Sequence, residues 1–365
     1  MHLAIDASRT TAAQRTGTER YALSMIRALL AQEAGHTYTL YLREAPPVGL
    51  FGLPHPSNRL RVRIVGLPRL WTHVGLARAL AQDKPDVIWV PAHTLPLICP
   101  TPGVVTVHDL GYRFYPQAHP ARQRRYLEWS TRHSAGIARR ILADSQATRH
   151  DLAKTYRVPG PRIEVVHPGR DESLQRVEAG PVRERHGLRR PYLLHVGTLQ
   201  PRKNLVRLIE AHARLRVRWP DLELVLAGAP GWLSDPILQA ARAEGVRVLG
   251  AVPDDDLSGL YSGAEAFVFP SLYEGFGFPV LEAQSCGTPV ICSRTSSLPE
   301  VAGEGAVQID PEDVSHLADG IEAVLGSPEL QRRLVEAGYD NIQRFSWEAS
   351  AKRARAVLEA VAQRG

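Results

Sequence analysis

Cysteine is scarce, with three residues in 365 (Cys99, Cys286 and Cys292) and no C-x-x-C spacing. Neither a disulfide framework nor a cysteine-ligated zinc is expected, and a reducing cytoplasm is the compartment that fits. Long apolar runs are missing as well: no stretch of eighteen or more apolar residues occurs, so no membrane-spanning helix is expected. The start, MHLAIDAS, reads as a buried strand and not as a basic region followed by an apolar one, which argues against a secretory signal. No G-x-G-x-x-G follows either candidate first strand, and this disfavours a dinucleotide-dependent oxidoreductase. Lysine is rare too, confined to Lys84, Lys154, Lys203 and Lys352, so the 44 basic residues are nearly all arginine.

What is present is an ordinary globular composition, 44% apolar and 22% charged, in a chain long enough for two cores. The net charge of +6 is uneven. Residues 1–180 carry 24 basic against 14 acidic residues, and the remainder 20 against 24. The basic half is a candidate surface for an acidic partner: anionic lipid, a phosphorylated acceptor or nucleic acid. No recognisable nucleic-acid module accompanies it, so nucleic acid is not expected as a partner.

Short β-branched runs alternate with amphipathic helical stretches from end to end, the pattern of parallel α/β layers. Strands are expected at His2–Asp6, Thr37–Leu42, Val87–Val90, Val104–Val107 and Ile141–Ala143. A second series is expected at Tyr192–Val196, Leu222–Ala227, Val246–Leu249, Ala266–Phe269 and Pro289–Cys292. Residues 1–170 then form a first domain, 171–190 a linker rich in glycine, proline and charge, and 191–345 a second domain. From Pro328 the chain reads as helical, capped by Ser327 and broken near Phe345–Ser346. The terminal segment 346–365 has no strand to cross over to, and the first domain is the candidate surface for it.

Four strings carry chemistry. Ser271–Glu282, SLYEGFGFPVLE, joins an apolar strand to a helix start through a glycine turn, which exposes backbone N–H groups suited to a phosphate. Gly275 and Gly277 permit close approach of a ligand. The carboxylates of Glu274 and Glu282 would repel a phosphate unless they face sugar hydroxyls, which donate to them; the alternative for Glu282 alone is a helix-dipole contact. His195–Asn204, HVGTLQPRKN, sets Arg202 and Lys203 at the carboxyl end of a strand, suited to a pyrophosphate, with Asn204 as a candidate helix cap. Val107–Leu110, VHDL, places His108 at another strand end, where a sugar contact and a structural role stand level. Arg15–Arg20, RTGTER, puts Gly17 before a helix, either a ligand approach or a plain turn. Asp254–Asp256 mimics a D-x-D metal site but follows Pro253 and opens a helix, where acidic residues complement the dipole.

Together these strings resemble the retaining glycosyltransferase family 4 with its GT-B fold, most closely in the E-x7-E spacing of Glu274 and Glu282, in HVGTLQPRKN and in PVICSRTSSLPEVAG. Within the family the sequence looks most like bacterial mannosyl- or rhamnosyl-type enzymes of surface polysaccharide synthesis. The resemblance implies an α/β chain of two Rossmann-like domains whose parallel sheets face a central cleft. It implies transfer of a sugar, with mannose from GDP-mannose as the best guess, to a hydroxyl of a glycan or polyprenyl-linked acceptor. No cofactor and no metal are implied. Glu274 would bind donor-sugar hydroxyls, Glu282 the ribose, and Lys203 with Arg202 the departing pyrophosphate. The N–H groups near Gly277 and Phe278 would hold the distal phosphate, Gly17 would reach it, and His108 would face the 6-position of the sugar. Many members carry arginine where this chain has Thr198, which shifts the load onto Arg202 and Lys203. Arg113–Arg140 holds seven arginines and one acidic residue among Tyr115, Tyr126 and Trp129, either a solvated face or a patch for peripheral contact with the inner face of an anionic membrane. A sugar-nucleotide epimerase on the same scaffold and a non-catalytic nucleotide-sugar binder are the alternative functions.

Overall fold

In the computed structural model, which describes residues 1–12, 16–52, 58–67 and 69–364, the chain divides into two compact units. The first comprises Met1–Leu110, Arg125–Gly169 and Phe345–Gly365, and the second Gly111–Arg124 and Arg170–Arg344.

The first unit is built on β1 (His2–Asp6), β2 (Thr37–Leu42), β3 (Leu60–Ile64), β4 (Val87–Val90), β5 (Gly103–Val107), β6 (Arg140–Ala143) and β7 (Ile163–Val165). These pair in parallel in the order β3-β2-β1-β4-β5-β6-β7. The second unit contains β8 (Tyr192–Val196), β9 (Glu223–Ala227), β10 (Arg247–Gly250), β11 (Ala266–Phe269), β12 (Val290–Ser293) and β13 (Ala306–Ile309). Its order is β10-β9-β8-β11-β12-β13, again all parallel. Both are Rossmann-like doubly wound sheets. The chain steps outward from the first strand on one side, then returns to build the other. The reversal leaves a crevice beyond the carboxyl ends of β1 and β4 in one unit, and of β8 and β11 in the other.

Central strands such as β4 (VIWV) and β11 (AFVF) are buried on both faces, which is why they read as unbroken apolar runs. The strands that sequence patterning passes over, β3, β7 and β13, are all sheet edges. Their segments LRVRI, IEV and AVQI are short or half-exposed, so they present no apolar run to detect.

The last helix, Trp347–Ala362, belongs to the first unit, where it packs on helix Gly17–Ala31. Ala351, Ala354, Leu358 and Val361 form its buried face, and Ser346 caps its start by accepting from the Ala349 amide. His36 Nε2 meets Glu359 Oε1 at 2.8 Å, and Ser350 donates to the His167 carbonyl at 2.5 Å.

Two expectations about boundaries need correction. Residues 171–190 are part of the second unit and not a free linker. Gly180–Arg185 forms a helix there, and Val182 packs so closely on Gly259 that an added Cβ would lie 2.4 Å from it. Residues 111–124 also belong to the second unit, although they lie within the expected first domain. Phe114 stacks on Tyr273 with ring centroids 5.3 Å apart, and Trp232 Nε1 donates to the Ala118 carbonyl at 2.6 Å. That stacking and that hydrogen bond hold the segment there. Among the described residues no helix is long and apolar enough to cross a membrane.

The loops after β8 and β9 touch through glycine. A Cβ on Gly228 would lie 2.0 Å from the Gly197 carbonyl oxygen, a backbone atom with little freedom to move. Gly228→Ala is therefore expected to destabilise the second unit by about 1–3 kcal/mol or more, as overpacked sites do. Urea unfolding of the variant checks this, and an unchanged midpoint would refute it.

Candidate active site

In the second unit, the crevice beyond β8 and β11 brings together residues 71 and 72 positions apart in sequence. Lys203 Nζ lies 2.6 Å from Glu274 Oε1, and Arg202 Nη1 lies 2.7 Å from Glu274 Oε2. Arg202 also donates to the Tyr273 carbonyl. Glu274 is 7% exposed and Lys203 8%. Burial alone would favour the neutral acid, but the guanidinium and ammonium charges outweigh it and hold the Glu274 carboxyl down at about 2. The result is a carboxylate kept ionised by two cations.

The local backbone explains how the cations arrive there. Residues Pro201–Lys203 form a tight turn, and Asn204 follows in the left-handed conformation at φ 61°. Asparagine tolerates that region better than most residues. Its side chain does not cap the next helix, as expected from the sequence. It donates instead to the carbonyls of Pro270 (3.1 Å) and Pro311 (2.6 Å), tying the β8 loop to the loops after β11 and β13. The Leu272 amide reinforces the link by donating to the Arg202 carbonyl at 2.9 Å. The Lys203 ammonium lies 4.6 Å from the centre of the Phe269 ring, a cation–π contact at the end of β11.

The glycine turn leads into helix Phe278–Ser285, with Gly277 at φ 124°. A Cβ there would also sit 2.8 Å from Leu298, so both backbone and packing require glycine. Glu282 lies beyond the first turn of this helix, outside the reach of the dipole contact held open for it. It accepts instead from the Tyr261 hydroxyl at 2.8 Å.

Several contributors escape motif reading. Ser296, at φ 52°, accepts from the Glu274 amide at 2.8 Å, and Ser297 Oγ donates to the carbonyls of Glu274 (2.9 Å) and Phe276 (2.6 Å). Both lie in SRTSSLPEVAG, a string that stands out in the sequence without revealing what its hydroxyls do. His195, fully buried at the end of β8, donates from Nδ1 to Val268 O at 3.0 Å, and its Nε2 has no partner among the described residues. Burial and then the Lys203 charge push its pKa down to about 3, so the ring adds no third cation.

In the first unit, Gly17 opens helix Gly17–Ala31; Arg15 lies outside the described residues. Glu19 closes a capping box with Thr16, accepting from its amide at 3.1 Å, and Arg9 adds an ion pair at 3.1 Å. His108 departs from its expected role. Its Nδ1 meets Asp144 Oδ2 at 2.7 Å and its Nε2 meets Pro91 O at 2.9 Å, so both nitrogens face inward to acceptors. No ring nitrogen is left for a sugar's 6-position. Asp254–Asp256 form the first turn of helix Asp254–Ser262, and Asp256 is held by Arg185 and His186.

The Glu274 cluster carries a pH signature. Its folded pKa lies below the ordinary value near 4.5, so its stabilisation is present above that value and is lost as pH falls toward 2. The drop corresponds to roughly 3 kcal/mol. In Glu274→Gln the acid-side loss of stability should shrink by about that amount, measured by urea unfolding at a series of pH values; parallel acid limbs would contradict it.

Comparison with known proteins shows the family of the chain. A family model described as Glycosyl transferases group 1 matches residues 181–341, and one described as Glycosyltransferase Family 4 matches residues 15–174. The O-antigen chain mannosyltransferase B of Escherichia coli is 37% identical over 258 residues, 67% of this chain and 67% of that protein. The MMP alpha-(1->4)-mannosyltransferase of Mycolicibacterium hassiacum is 33% identical over 233 residues, covering 61% of this chain and 55% of that one. Among solved structures, sucrose-phosphate synthase from Thermosynechococcus elongatus superposes with a TM-score of 0.77 over 100% of both chains at 22% identity, a likeness of fold.

Proposed function

The chain belongs to the group 1, family 4 glycosyltransferases of GT-B fold, and from that premise we propose that it transfers mannose from GDP-mannose to a hydroxyl of a glycan or lipid-linked acceptor, with retention and without a metal. The observation that carries this reading is the Arg202–Glu274–Lys203 cluster at the crevice of the second sheet. The mannosyl assignment is supported by the names of the two relatives.

Each residue then has a defined task. Lys203 and Arg202 supply positive charge where a nucleoside diphosphate develops negative charge as it leaves, which is the work a metal ion would otherwise do. Glu274, ionised throughout the physiological range, accepts hydrogen bonds from donor-sugar hydroxyls. Glu282, oriented by Tyr261, accepts from the ribose. The start of helix Phe278–Ser285 faces the distal phosphate with its positive dipole end. In the transfer, the bond from the anomeric carbon to the phosphate oxygen breaks while the acceptor oxygen bonds on the same face. The acceptor proton passes to the leaving phosphate oxygen. Both oxygens of Glu274 are engaged by cations, an arrangement suited to positioning and not to nucleophilic attack. His108, whose ring nitrogens meet Asp144 and Pro91 O, is assigned no sugar contact in this reading.

The helix Ala121–Ile137 supports peripheral contact with an anionic membrane. Tyr126 (51% exposed) and Trp129 (44%) protrude on it, with Arg125 and Arg132 also exposed. Aromatic rings seated at headgroup depth with arginines beside them suit such a surface. Sedimentation with phosphatidylglycerol vesicles, compared with neutral ones, should show binding that falls in Trp129→Ala; equal sedimentation with both vesicle types would remove this part.

Thermal stabilisation against a panel of nucleotides and nucleotide sugars, with EDTA present, tests the main reading. GDP-mannose and GDP are expected to raise the melting temperature most. Lys203→Ala should lower turnover by about 10²-fold or more, the cost of losing one preorganised charge-stabilising group, while the fold persists. Wild-type turnover in the variant, or strict dependence on a divalent ion, would overturn the assignment. Release of nucleotide without any acceptor would point to an epimerase.

A further inference from the structure

The crevice of the first unit holds a polar constellation of a different kind, built on histidine. His108 ends β5 with both ring nitrogens directed at acceptors, Asp144 Oδ2 and Pro91 O. With Asp144 ionised, the ring meets both acceptors as an imidazolium. Burial opposes that charge, but the Asp144 carboxylate prevails and raises His108 above its ordinary value.

His93 lies beside it, three residues past β4, at the point where the strand order reverses. Its ring centroid is 5.6 Å from that of His108. The backbone sits in the left-handed region at φ 41°, held by a hydrogen bond from its amide to the Thr106 carbonyl at 2.9 Å. Nδ1 meets Thr131 Oγ1 at 3.3 Å, while Nε2 has no partner among the described residues, and the residue is half-buried. The left-handed backbone at His93 thus presents an unengaged ring nitrogen at a ligand crevice, a strained conformation of the kind that gathers at ligand sites.

The charges around His93 decide what that is. Burial, and then the neighbouring His108 charge, push its pKa down to about 3, with Asp109 pulling upward and Arg9 downward. The ring is therefore neutral in the physiological range. A neutral imidazole attracts no phosphate, but its free nitrogen makes a good hydrogen bond to a hydroxyl, which can donate or accept.

We propose that His93 is an acceptor-binding residue, whose Nε2 hydrogen-bonds a hydroxyl of a sugar or polyol at the carboxyl end of β4. This rests on the transferase reading above and adds to it the residue that receives the second substrate. His108 acts as its positioning partner, its ring packed beside His93 and tied to Asp144 and to Pro91 O.

The test follows full-length protein carrying ¹⁵N-labelled histidine by NMR as methyl α-mannoside, methyl α-glucoside and methyl α-galactoside are added in turn. At least one glycoside is expected to shift the His93 ring signals, which are assigned by their loss in His93→Asn. That substitution keeps a residue tolerant of positive φ and removes Nε2, so it should weaken glycoside binding roughly tenfold. His93→Gln, which returns an amide near the lost nitrogen, should recover part of the affinity. Stabilisation by GDP-mannose should be the same in both variants as in the wild type. Equal glycoside affinity in wild type and His93→Asn, or His93 signals that no glycoside moves, would overturn the proposal. Absence of GDP-mannose stabilisation in the wild type would strike the transferase reading instead, and the NMR result would still decide whether His93 binds a hydroxyl.

Discussion

A buried carboxylate shared between two cations is the constraint on which the second unit depends. Glu274 alone, in so dry a place, would be protonated; Arg202 and Lys203 alone would repel each other. Only the triad is electrostatically tolerable, and it can assemble only if two loops from neighbouring strands are held to a fraction of an ångström. The surrounding features answer that requirement. Asn204 staples the two loops through the Pro270 carbonyl and reaches the loop after β13 through that of Pro311, Ser296 and Ser297 grip the backbone of Glu274 from the other side, and Gly197 against Gly228 fixes the base of the lysine loop. His195 beneath stays neutral, because burial and then the Lys203 charge disfavour its protonated form.

The two sheets share one winding pattern and present opposite chemistry at their crevices. The second offers cations and a helix start, features directed at an anion. The first offers histidines, of which His108 is turned inward onto Asp144 and Pro91 O. Part of the basic excess of the first half of the chain is exposed on a helix, at Arg125 and Arg132. Net charge of a segment and charge of its site are separate quantities, and only the geometry relates them.

The same distinction explains what could be read from the sequence. Central strands were legible because burial on both faces demands apolar runs, and the carboxyl-end loops followed from the strands. Glu274, Lys203 and Arg202 could be named because glycine turns and strand ends mark a crevice before any coordinates exist. The edge strands β3, β7 and β13 were not, since a sheet edge relaxes the demand that makes strands visible. Nor was the place of residues 111–124, which rests on Phe114 meeting Tyr273 more than 150 positions later. His108 shows the limit most clearly. Its position in VHDL marked a strand end correctly, but whether its nitrogens were available depended on Asp144 and Pro91, which no local pattern connects to it.

On the proposed reading, the triad also couples the two halves of the donor. The hydrogen bonds that Lys203 and Arg202 give to Glu274 are the ones a diphosphate would compete for. As phosphate oxygens take over those donors, the oxygens of Glu274 are freed to accept from sugar hydroxyls. A nucleoside diphosphate without its sugar strips the carboxylate of its partners and returns nothing to it, whereas the intact donor satisfies both sides. Two unpaired lysine and arginine charges would grip donor and product alike, and binding both equally tightly does not speed the chemical step. The buried glutamate reduces that indiscriminate grip, so that the full donor is favoured over the spent nucleotide by the hydroxyls alone.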